Sequence, residues 1–199
     1  MTGIKPRKTR FSELWNLPNV LTYGRIIAVP AIAGLMMYGG NSARWVALGI
    51  FIVAAITDFF DGYLARKWQQ QSSLGVMLDP IADKVLVAVV LLVLSADGIL
   101  NGGHVWAAII ITAREVLVSG LREYLGALQV SVPVTQIAKW KTTVQLIAIS
   151  FLIAGPAGDA VLPYTTQVGI VGLWIAAALT LYTGYDYFRA GIRHVVDEE

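Results

Sequence analysis

The chain has 199 residues, of which 56% are hydrophobic and 14% charged, and its formal net charge is +2. This composition excludes an ordinary soluble domain and indicates an integral membrane protein. The absence of cysteine excludes disulfides and thiolate metal sites, which leaves oxygen ligands as the main option for a metal ion.

Six apolar stretches are each long enough for a membrane-spanning helix, which needs roughly 20 residues. They cover residues 20–39, 44–65, 80–97, 104–126, 136–155 and 166–188. The predicted fold is therefore an all-α integral membrane protein, a single domain over residues 1–199 with six transmembrane helices. Before the first span, Phe11, Leu14 and Trp15 have helical spacing, which favours a short interfacial helix over residues 11–19. A basic tail that only sets topology is the alternative.

Basic residues predict the orientation of these spans. They cluster before span one, between spans two and three, at the start of span five and after span six, whereas the opposite loops contain only Arg44. The clustered residues are Lys5, Arg7, Lys8, Arg10, Arg66, Lys67, Lys139, Lys141 and Arg193. By the positive-inside rule this side is the cytoplasm, so both termini are predicted to be cytoplasmic.

Four aspartates lie near the predicted cytoplasmic ends of spans two and three. Asp58 and Asp61 are three residues apart, and Asp79 and Asp83 are four apart, so each pair projects from one helix face. The short connection makes the two helices antiparallel neighbours, so all four carboxylates can converge. Because uncompensated carboxylates at the bilayer boundary repel one another, we predict that one or two divalent cations bind there, with Mg²⁺ the preferred ion.

Other roles are open for residues in this segment. Asp79 followed by Pro80 is also a typical helix start, with the aspartate as N-cap. Capping does not account for the carboxylates of span two, since negative charge is disfavoured near a helix C-terminus. Gly62 and Ala65 form a small-residue face, and Gly75 opens the loop. Such residues admit either a ligand or a closely packed neighbouring helix.

The segment from residue 58 to residue 83 reads D-x2-D-G-x2-A-R-x8-G-x3-D-x3-D. It resembles the signature of the CDP-alcohol phosphotransferase family at every position. Two other regions, NLPNVLTYGR at 16–25 and TAREVLVSGLREY at 112–124 with the later AKWKTTVQ, resemble the bacterial phosphatidylglycerophosphate synthase branch of that family. The branch usually has glycine where this chain has Ala138.

The resemblance implies an enzyme that transfers the phosphatidyl group of CDP-diacylglycerol to a hydroxyl of sn-glycerol 3-phosphate and releases CMP. It implies two Mg²⁺ or Mn²⁺ ions held by Asp58, Asp61 and Asp79, with Asp83 as a further ligand and as the general base. It also implies a homodimer in the bacterial inner membrane, among membrane lipids, with the active site on the cytoplasmic side. No nucleic-acid partner is expected.

Two sets of residues are expected to line the substrate sites. Those for CDP-diacylglycerol are Asn19, Thr22, Asp61, Gly62, Ala65, Arg66 and Gly75. Those for glycerol 3-phosphate are Thr22, Arg25, Arg114, Arg122, Lys139 and Lys141, with Thr142 and Gln145 as further lining residues. The alternatives are a topology anchor for Arg66, an ion pair of Arg114 with Glu115 or Glu123, and a snorkelling interface anchor for Lys141.

Two competing functions are open at this stage. A cation-coupled transporter also places charged residues inside the membrane, but it should distribute them across the bilayer, whereas these lie toward one side. Within the same family, serine, inositol phosphate or phosphatidylglycerol could be the acceptor. The cluster of arginine and lysine residues favours a phosphorylated acceptor.

Overall fold

The protein folds into six α-helices and one short 3₁₀ helix over residues 17–68, 73–129 and 136–196, which its structure, a computed structural model, describes. The helices are α1 (Leu17–Tyr38), α2 (Asn41–Trp68), α3 (Ser73–Ala96), α4 (Val105–Ala127), α5 (Gln136–Asp159) and α6 (Thr165–Val196), with the 3₁₀ turn Gly102–His104 before α4. Those ranges contain no strand, so the all-α prediction is confirmed. The predicted interfacial helix at 11–19 lies almost wholly outside the described residues.

Four helices in the described ranges are long and apolar enough to cross a membrane. These segments are Asn19–Tyr38, Gly102–Gly126, Gln136–Asp159 and Thr165–Arg189. The other two helices, α2 and α3, carry the aspartates, yet they also expose aliphatic side chains such as Val53 and Leu92 on their outer faces. Outward-facing aliphatic side chains are typical of a surface that contacts lipid. The chain is therefore an all-helical membrane protein.

The helices pack around a continuous apolar core. α1 contacts α2 and α3, α5 contacts α6 and α2, and α4 contacts α6 and α3. Phe51, Leu94, Ile111 and Ile149 are completely buried at the centre. Small residues bring α5 and α6 together, since a Cβ atom on Gly169 would lie 2.8 Å from the Leu152 side chain. Close approach of this kind is how membrane helices gain van der Waals contact.

One end of the bundle is closed by an ion pair. Arg44, at the start of α2, pairs with Asp97 just after α3, and its Nη1 donates to the carbonyl oxygen of Ile153 at 3.2 Å. α5 kinks here, at Gly155, whose φ of 46° favours glycine. The Arg44 guanidinium fills the space beside this glycine. This end is called the Arg44 end below.

The grooves between α2 and α5 show which residues lie at the opposite end of the bundle. Near the Arg44 end, Trp45 and Leu48 of α2 line a groove together with Ala154 and Gly158 of α5. Farther along α2, Ile52 and Ile56 line a groove with Leu146 and Ile147, which come earlier in α5. The two helices are therefore antiparallel, and the start of α5 lies at the end of α2 that carries Asp58.

Candidate active site

Three of the four predicted aspartates converge. Asp58 lies on α2, and Asp79 and Asp83 lie one turn apart on α3. One carboxylate oxygen from each lies within 4.8 Å of the others, and each side chain is between a third and a half exposed. Asp61 follows Asp58 by one turn of the same helix, but its side chain is outside the described part of the structure. The three carboxylates form what we call the aspartate cluster.

Asp79 lies within its helix and does not cap it. α3 begins at Ser73, six residues before Asp79 and seven before Pro80. The Asp-Pro pair left an N-cap role open for Asp79, but the structure places Asp79 inside the helix, where it cannot be the N-cap. Helix α3 instead extends back from the carboxylates to Ser73, and Asp79 and Asp83 lie on one face of it.

Arg25 of α1 lies at the centre of the aspartate cluster. Its Nη1 atom is 2.9 Å from Asp58 Oδ1 and 3.2 Å from Asp79 Oδ1, and it also pairs with Asp83 Oδ1. The Arg25 side chain is 1% exposed. One guanidinium balances only one of three carboxylate charges, so the cluster retains an excess of negative charge. An oxygen-only donor set with this excess fits a hard divalent cation such as Mg²⁺ or Mn²⁺.

A second charged group joins α4, α5 and α6. Lys141 pairs with Glu115, and Glu115 Oε2 is 3.7 Å from Arg114 Nη1. Arg114 also donates from Nε to the Thr180 carbonyl oxygen at 3.0 Å and from Nη2 to the Thr183 hydroxyl at 3.0 Å. These residues, with Arg114 and Lys141 as its cations, form the basic cluster. Its two positive charges exceed the single charge of Glu115, so it can accept an anion.

Gly184 allows Arg114 to lie flat against α6. A Cβ atom at this position would come within 3.0 Å of Arg114 Cγ and 3.2 Å of its Nε. A larger residue would therefore require the Arg114 side chain to shift by a few tenths of an ångström.

The remaining predicted cations are less buried. Arg122 stacks over the Tyr187 ring, 5.6 Å from its centroid, and lies within electrostatic range of the Lys141 ammonium. Lys139 is exposed, two residues before the buried Lys141 and therefore on a nearly opposite face of α5. The structure thus brings Arg114 and Lys141 together, places Arg122 nearby, and leaves Lys139 on the surface.

Two buried oxygen atoms near this level accept or donate no hydrogen bond within the described residues: Gln145 Oε1 and Thr180 Oγ1. Gln145 lies one turn after Lys141 on α5 and is 3% exposed. Buried polar atoms are nearly always paired in folded proteins. A polar ligand or an ordered water would supply the hydrogen bonds that these two atoms lack.

An apolar groove of about 670 Å³ runs between α1 and α2 to the aspartate cluster. Aliphatic residues line most of it, and its two polar lining residues are Arg25 and Thr57. The other residues that line the groove are Val20, Leu21, Gly24, Ala28, Val46, Gly49, Ile50, Val53 and Ala54. A groove with a mainly aliphatic wall and a charged lining residue suits an apolar chain attached to a polar headgroup.

Comparison with known proteins identifies the family of this site. The sequence profile of the CDP-alcohol phosphatidyltransferase family matches residues 15–182. The chain belongs to the CDP-alcohol phosphatidyltransferase family. The matched range includes the aspartate cluster, Arg25 and the charged residues of the basic cluster, Arg114, Glu115 and Lys141. The predicted resemblance is confirmed.

Three curated relatives share the name CDP-diacylglycerol–glycerol-3-phosphate 3-phosphatidyltransferase. The protein from Cereibacter sphaeroides is 41% identical over 219 residues, covering 93% of this chain and 99% of the relative. The protein from Rickettsia typhi is 48% identical over 176 residues, covering 88% and 96%. The protein from Shigella flexneri serotype 5b is 36% identical over 190 residues, covering 92% and 99%.

The residues predicted for the donor site of this phosphatidyltransferase lie on α1, α2 and α3. Asn19 and Thr22 are buried on α1 about one turn apart, and Thr22 precedes Arg25 by about one turn. Gly75, predicted to open the loop, instead lies in the first turn of α3, because this helix begins at Ser73. Gly62, Ala65 and Arg66 belong to the last turns of α2, but their side chains are outside the described part of the structure, as is that of Asp61.

Some residues of the site have positions that their sequence context did not predict. Arg25, expected at the acceptor phosphate, lies among the carboxylates. Glu115, considered only as a partner of Arg114, also pairs with Lys141 of another helix. Thr180 and Thr183 of the last helix were not singled out. The two threonines are three residues apart and are followed by Gly184, so they form a polar, small-residue face on an otherwise apolar helix. This face was the sequence feature that could have indicated a helix contact here.

Proposed function

We propose that the protein transfers a phosphatidyl group from CDP-diacylglycerol to the hydroxyl of sn-glycerol 3-phosphate, giving phosphatidylglycerophosphate and CMP. The shared name of the relatives, which cover most of this chain at 36–48% identity, supports this substrate pair. The observation that carries the proposal is the convergence of three carboxylates from two apolar helices within 4.8 Å. A membrane protein keeps such charges at a functional site.

Asp58, Asp61, Asp79 and Asp83 would hold the divalent cation, Mg²⁺ or Mn²⁺, with two ions as the proposed number. Support comes from the carboxylate oxygens of the aspartate cluster, which are the ligands that these ions prefer. When bound, a divalent cation supplies charge neutralisation for the diphosphate and for the departing CMP.

Asp83 is proposed as the general base. Its carboxylate would accept the proton of the glycerol hydroxyl as that oxygen attacks the lipid-side phosphorus, while the bond from this phosphorus to the CMP oxygen breaks. Support comes from its position: Asp83 lies one turn farther along α3 than Asp79, pairs with Arg25 through Oδ1, and has a carboxylate oxygen within 4.8 Å of those of Asp58 and Asp79. Asp58 and Asp79 would then serve mainly as ligands.

The basic cluster is proposed as the site for the phosphate of the acceptor. Arg114 presents a guanidinium fixed by Thr180 and Thr183, and Lys141 adds an ammonium beside it. A fixed guanidinium suits the planar two-point contact that phosphate oxygens make. Arg122 and Lys139 are proposed to contribute at its outer edge, and Thr22, Thr142 and Gln145 to line the path toward the aspartates.

The groove between α1 and α2 is proposed to hold one acyl chain of CDP-diacylglycerol. Its apolar wall ends at Arg25 and Thr57, beside the aspartate cluster, so the diphosphate of a lipid seated there would reach the carboxylates. Asn19, Thr22, Asp61, Gly62, Ala65, Arg66 and Gly75 are proposed to complete the donor site.

The membrane arrangement is part of the same proposal. All six helices would span the bacterial inner membrane as one domain, with both termini and the active site on the cytoplasmic side, and the protein would act as a homodimer. The exposed aliphatic residues of α2 and α3 support spanning by these helices too. The basic residues of the loops support the orientation.

A panel of acceptors tests the proposed reaction. Purified protein is incubated with CDP-diacylglycerol, Mg²⁺ and glycerol 3-phosphate, serine, inositol phosphate or phosphatidylglycerol, and released CMP is measured. We expect release with glycerol 3-phosphate and the corresponding phosphatidylglycerophosphate by mass spectrometry. Release with another acceptor alone would retain the family chemistry and refute the proposed acceptor.

A further inference from the structure

We propose that Arg25 acts as an internal counter-cation, which holds the aspartate cluster together without metal and must leave it before a divalent cation can bind. The inference rests on the metal site proposed above and adds a role for a residue of α1. Arg25 is 33 residues from the nearest aspartate in sequence, so only the packing of α1 against α2 and α3 brings it there.

The guanidinium and a metal ion would use the same oxygen atoms. Arg25 Nη1 contacts Oδ1 of Asp58, Asp79 and Asp83 at once. Mg²⁺ binds carboxylate oxygens at about 2.0–2.1 Å. An ion bound to these three oxygens would therefore be in direct contact with a positively charged nitrogen. The two cations exclude each other from the cluster by volume and by charge.

Arg25 can leave the cluster only by moving. A guanidinium keeps its proton at any relevant pH, so its charge cannot be removed by deprotonation, as the charge of a buried lysine can. The structure provides room for such a movement, because Arg25 also forms part of the wall of the groove between α1 and α2, beside Gly24 and Thr57. A flexible side chain turned into this groove would still point its charge toward the end where a phosphate of the donor is proposed to lie.

Replacement of Arg25 by a metal ion lowers the apparent affinity for the metal. The ion pairs of Arg25 stabilise the metal-free protein, and their loss is subtracted from the binding free energy of the metal. The apparent affinity for the metal is then lower than the intrinsic affinity of the carboxylates, as for any binding-competent state that is only partly populated. Removal of Arg25 should therefore strengthen metal binding, whereas removal of a residue that supports the metal site should weaken it.

Binding of Mn²⁺ to purified protein in detergent tests the inference without any turnover. Free Mn²⁺ is measured by electron paramagnetic resonance for the unsubstituted protein, Arg25→Met, Arg25→Lys and Arg44→Met. Arg44→Met is the matched control, because Arg44 is also a buried arginine paired with an aspartate, but at the opposite end of the bundle. We expect Arg25→Met to lower the Kd for Mn²⁺ about tenfold or more, the factor for one lost charge-assisted contact.

The conservative variant and the stability of the metal-free protein complete the test. Arg25→Lys should also lower the Kd, because an ammonium on a shorter stem does not contact three carboxylates together. Thermal unfolding in EDTA should show a lower Tm for Arg25→Met than for the unsubstituted protein, and Mn²⁺ should raise the Tm of this variant by a larger amount. If Arg25→Met cannot be purified without metal, the Kd of Arg25→Lys decides.

Each remaining outcome overturns one element of the argument. An equal or higher Kd in the Arg25 variants would overturn the exchange and leave the metal site intact. A Kd lowered to the same extent by Arg44→Met would show that the effect is not specific to the cluster. Absence of Mn²⁺ binding to all four proteins would overturn the proposed metal site itself, and the exchange with it.

Discussion

Lys141 and Glu115, which are 26 residues apart in sequence, form an ion pair between α5 and α4 in which Lys141 is buried and Glu115 half-buried. The same glutamate lies 3.7 Å from Arg114, so a single negative charge bridges two positive ones. The basic cluster is thereby partly neutralised but still cationic. An acceptor phosphate bound as proposed would meet two cations whose positions are set by a carboxylate and by the hydroxyl and carbonyl groups of α6.

Replacement of Lys141 tests the acceptor site. Lys141→Met removes one cation, and we expect the KM for glycerol 3-phosphate to rise about 10- to 100-fold, the range for one charge-assisted contact to phosphate. The KM for CDP-diacylglycerol should change little. Thr143→Val is the control, because its exposed hydroxyl donates to the Lys139 carbonyl of its own helix. Equal weakening of both substrates by Lys141→Met would contradict a separate acceptor site.

Gly184 provides a second test of the same site through Arg114. In Gly184→Val the Cβ atom alone would lie 3.0 Å from Arg114 Cγ, and the two methyl groups add further volume, so the Arg114 side chain must shift. Because small displacements of a positioning group are costly, we expect kcat/KM for glycerol 3-phosphate to fall about tenfold or more. Gly120→Val is the control, since a Cβ there meets nothing within 4 Å. Similar losses in both variants would point to a general effect on helix packing.

Substitution of Asp83 separates chemistry from binding. Asparagine keeps the shape and one oxygen atom but cannot accept the hydroxyl proton, so Asp83→Asn should lower kcat by about 10²- to 10⁴-fold. Binding of CDP-diacylglycerol in the presence of metal should be reduced far less than in Asp58→Asn, which removes a proposed ligand. Asp97→Asn, at the Arg44 end, is the control and should retain its kcat. Near-native turnover of Asp83→Asn would refute the base, and complete loss of binding would make Asp83 a further metal ligand.

Removal of divalent cations tests the aspartate cluster as a whole. CMP release should cease in excess EDTA and return when Mg²⁺ or Mn²⁺ is added, because the carboxylates and the diphosphate are all negative and repel one another without a bridging charge. The measurement is the initial rate against free metal concentration. Full turnover in chelated, metal-free buffer is the result that would refute the metal requirement.

The local part of the site could be predicted from the sequence. Asp79 and Asp83 are four residues apart, and helical periodicity alone puts them on one face. The short connection between α2 and α3 then brings Asp58 to the same end, and the structure agrees. The aliphatic stretches likewise predict helices, because a bilayer permits few other ways to satisfy backbone hydrogen bonds.

The contacts between distant helices were decided only by the tertiary structure. Arg25 and Asp83 are 58 residues apart, and Arg114 and Thr183 are 69 apart. Which helix becomes the neighbour of which depends on how small residues such as Gly169, Gly172 and Gly184 let particular faces approach. Many faces of these helices are apolar enough to pack or to face lipid, so periodicity does not choose between them. The sequence by itself thus determined the fold class, the family and the aspartate pairs. The packing order of the helices decided that Arg25 lies with the carboxylates and that Glu115 joins Arg114 to Lys141.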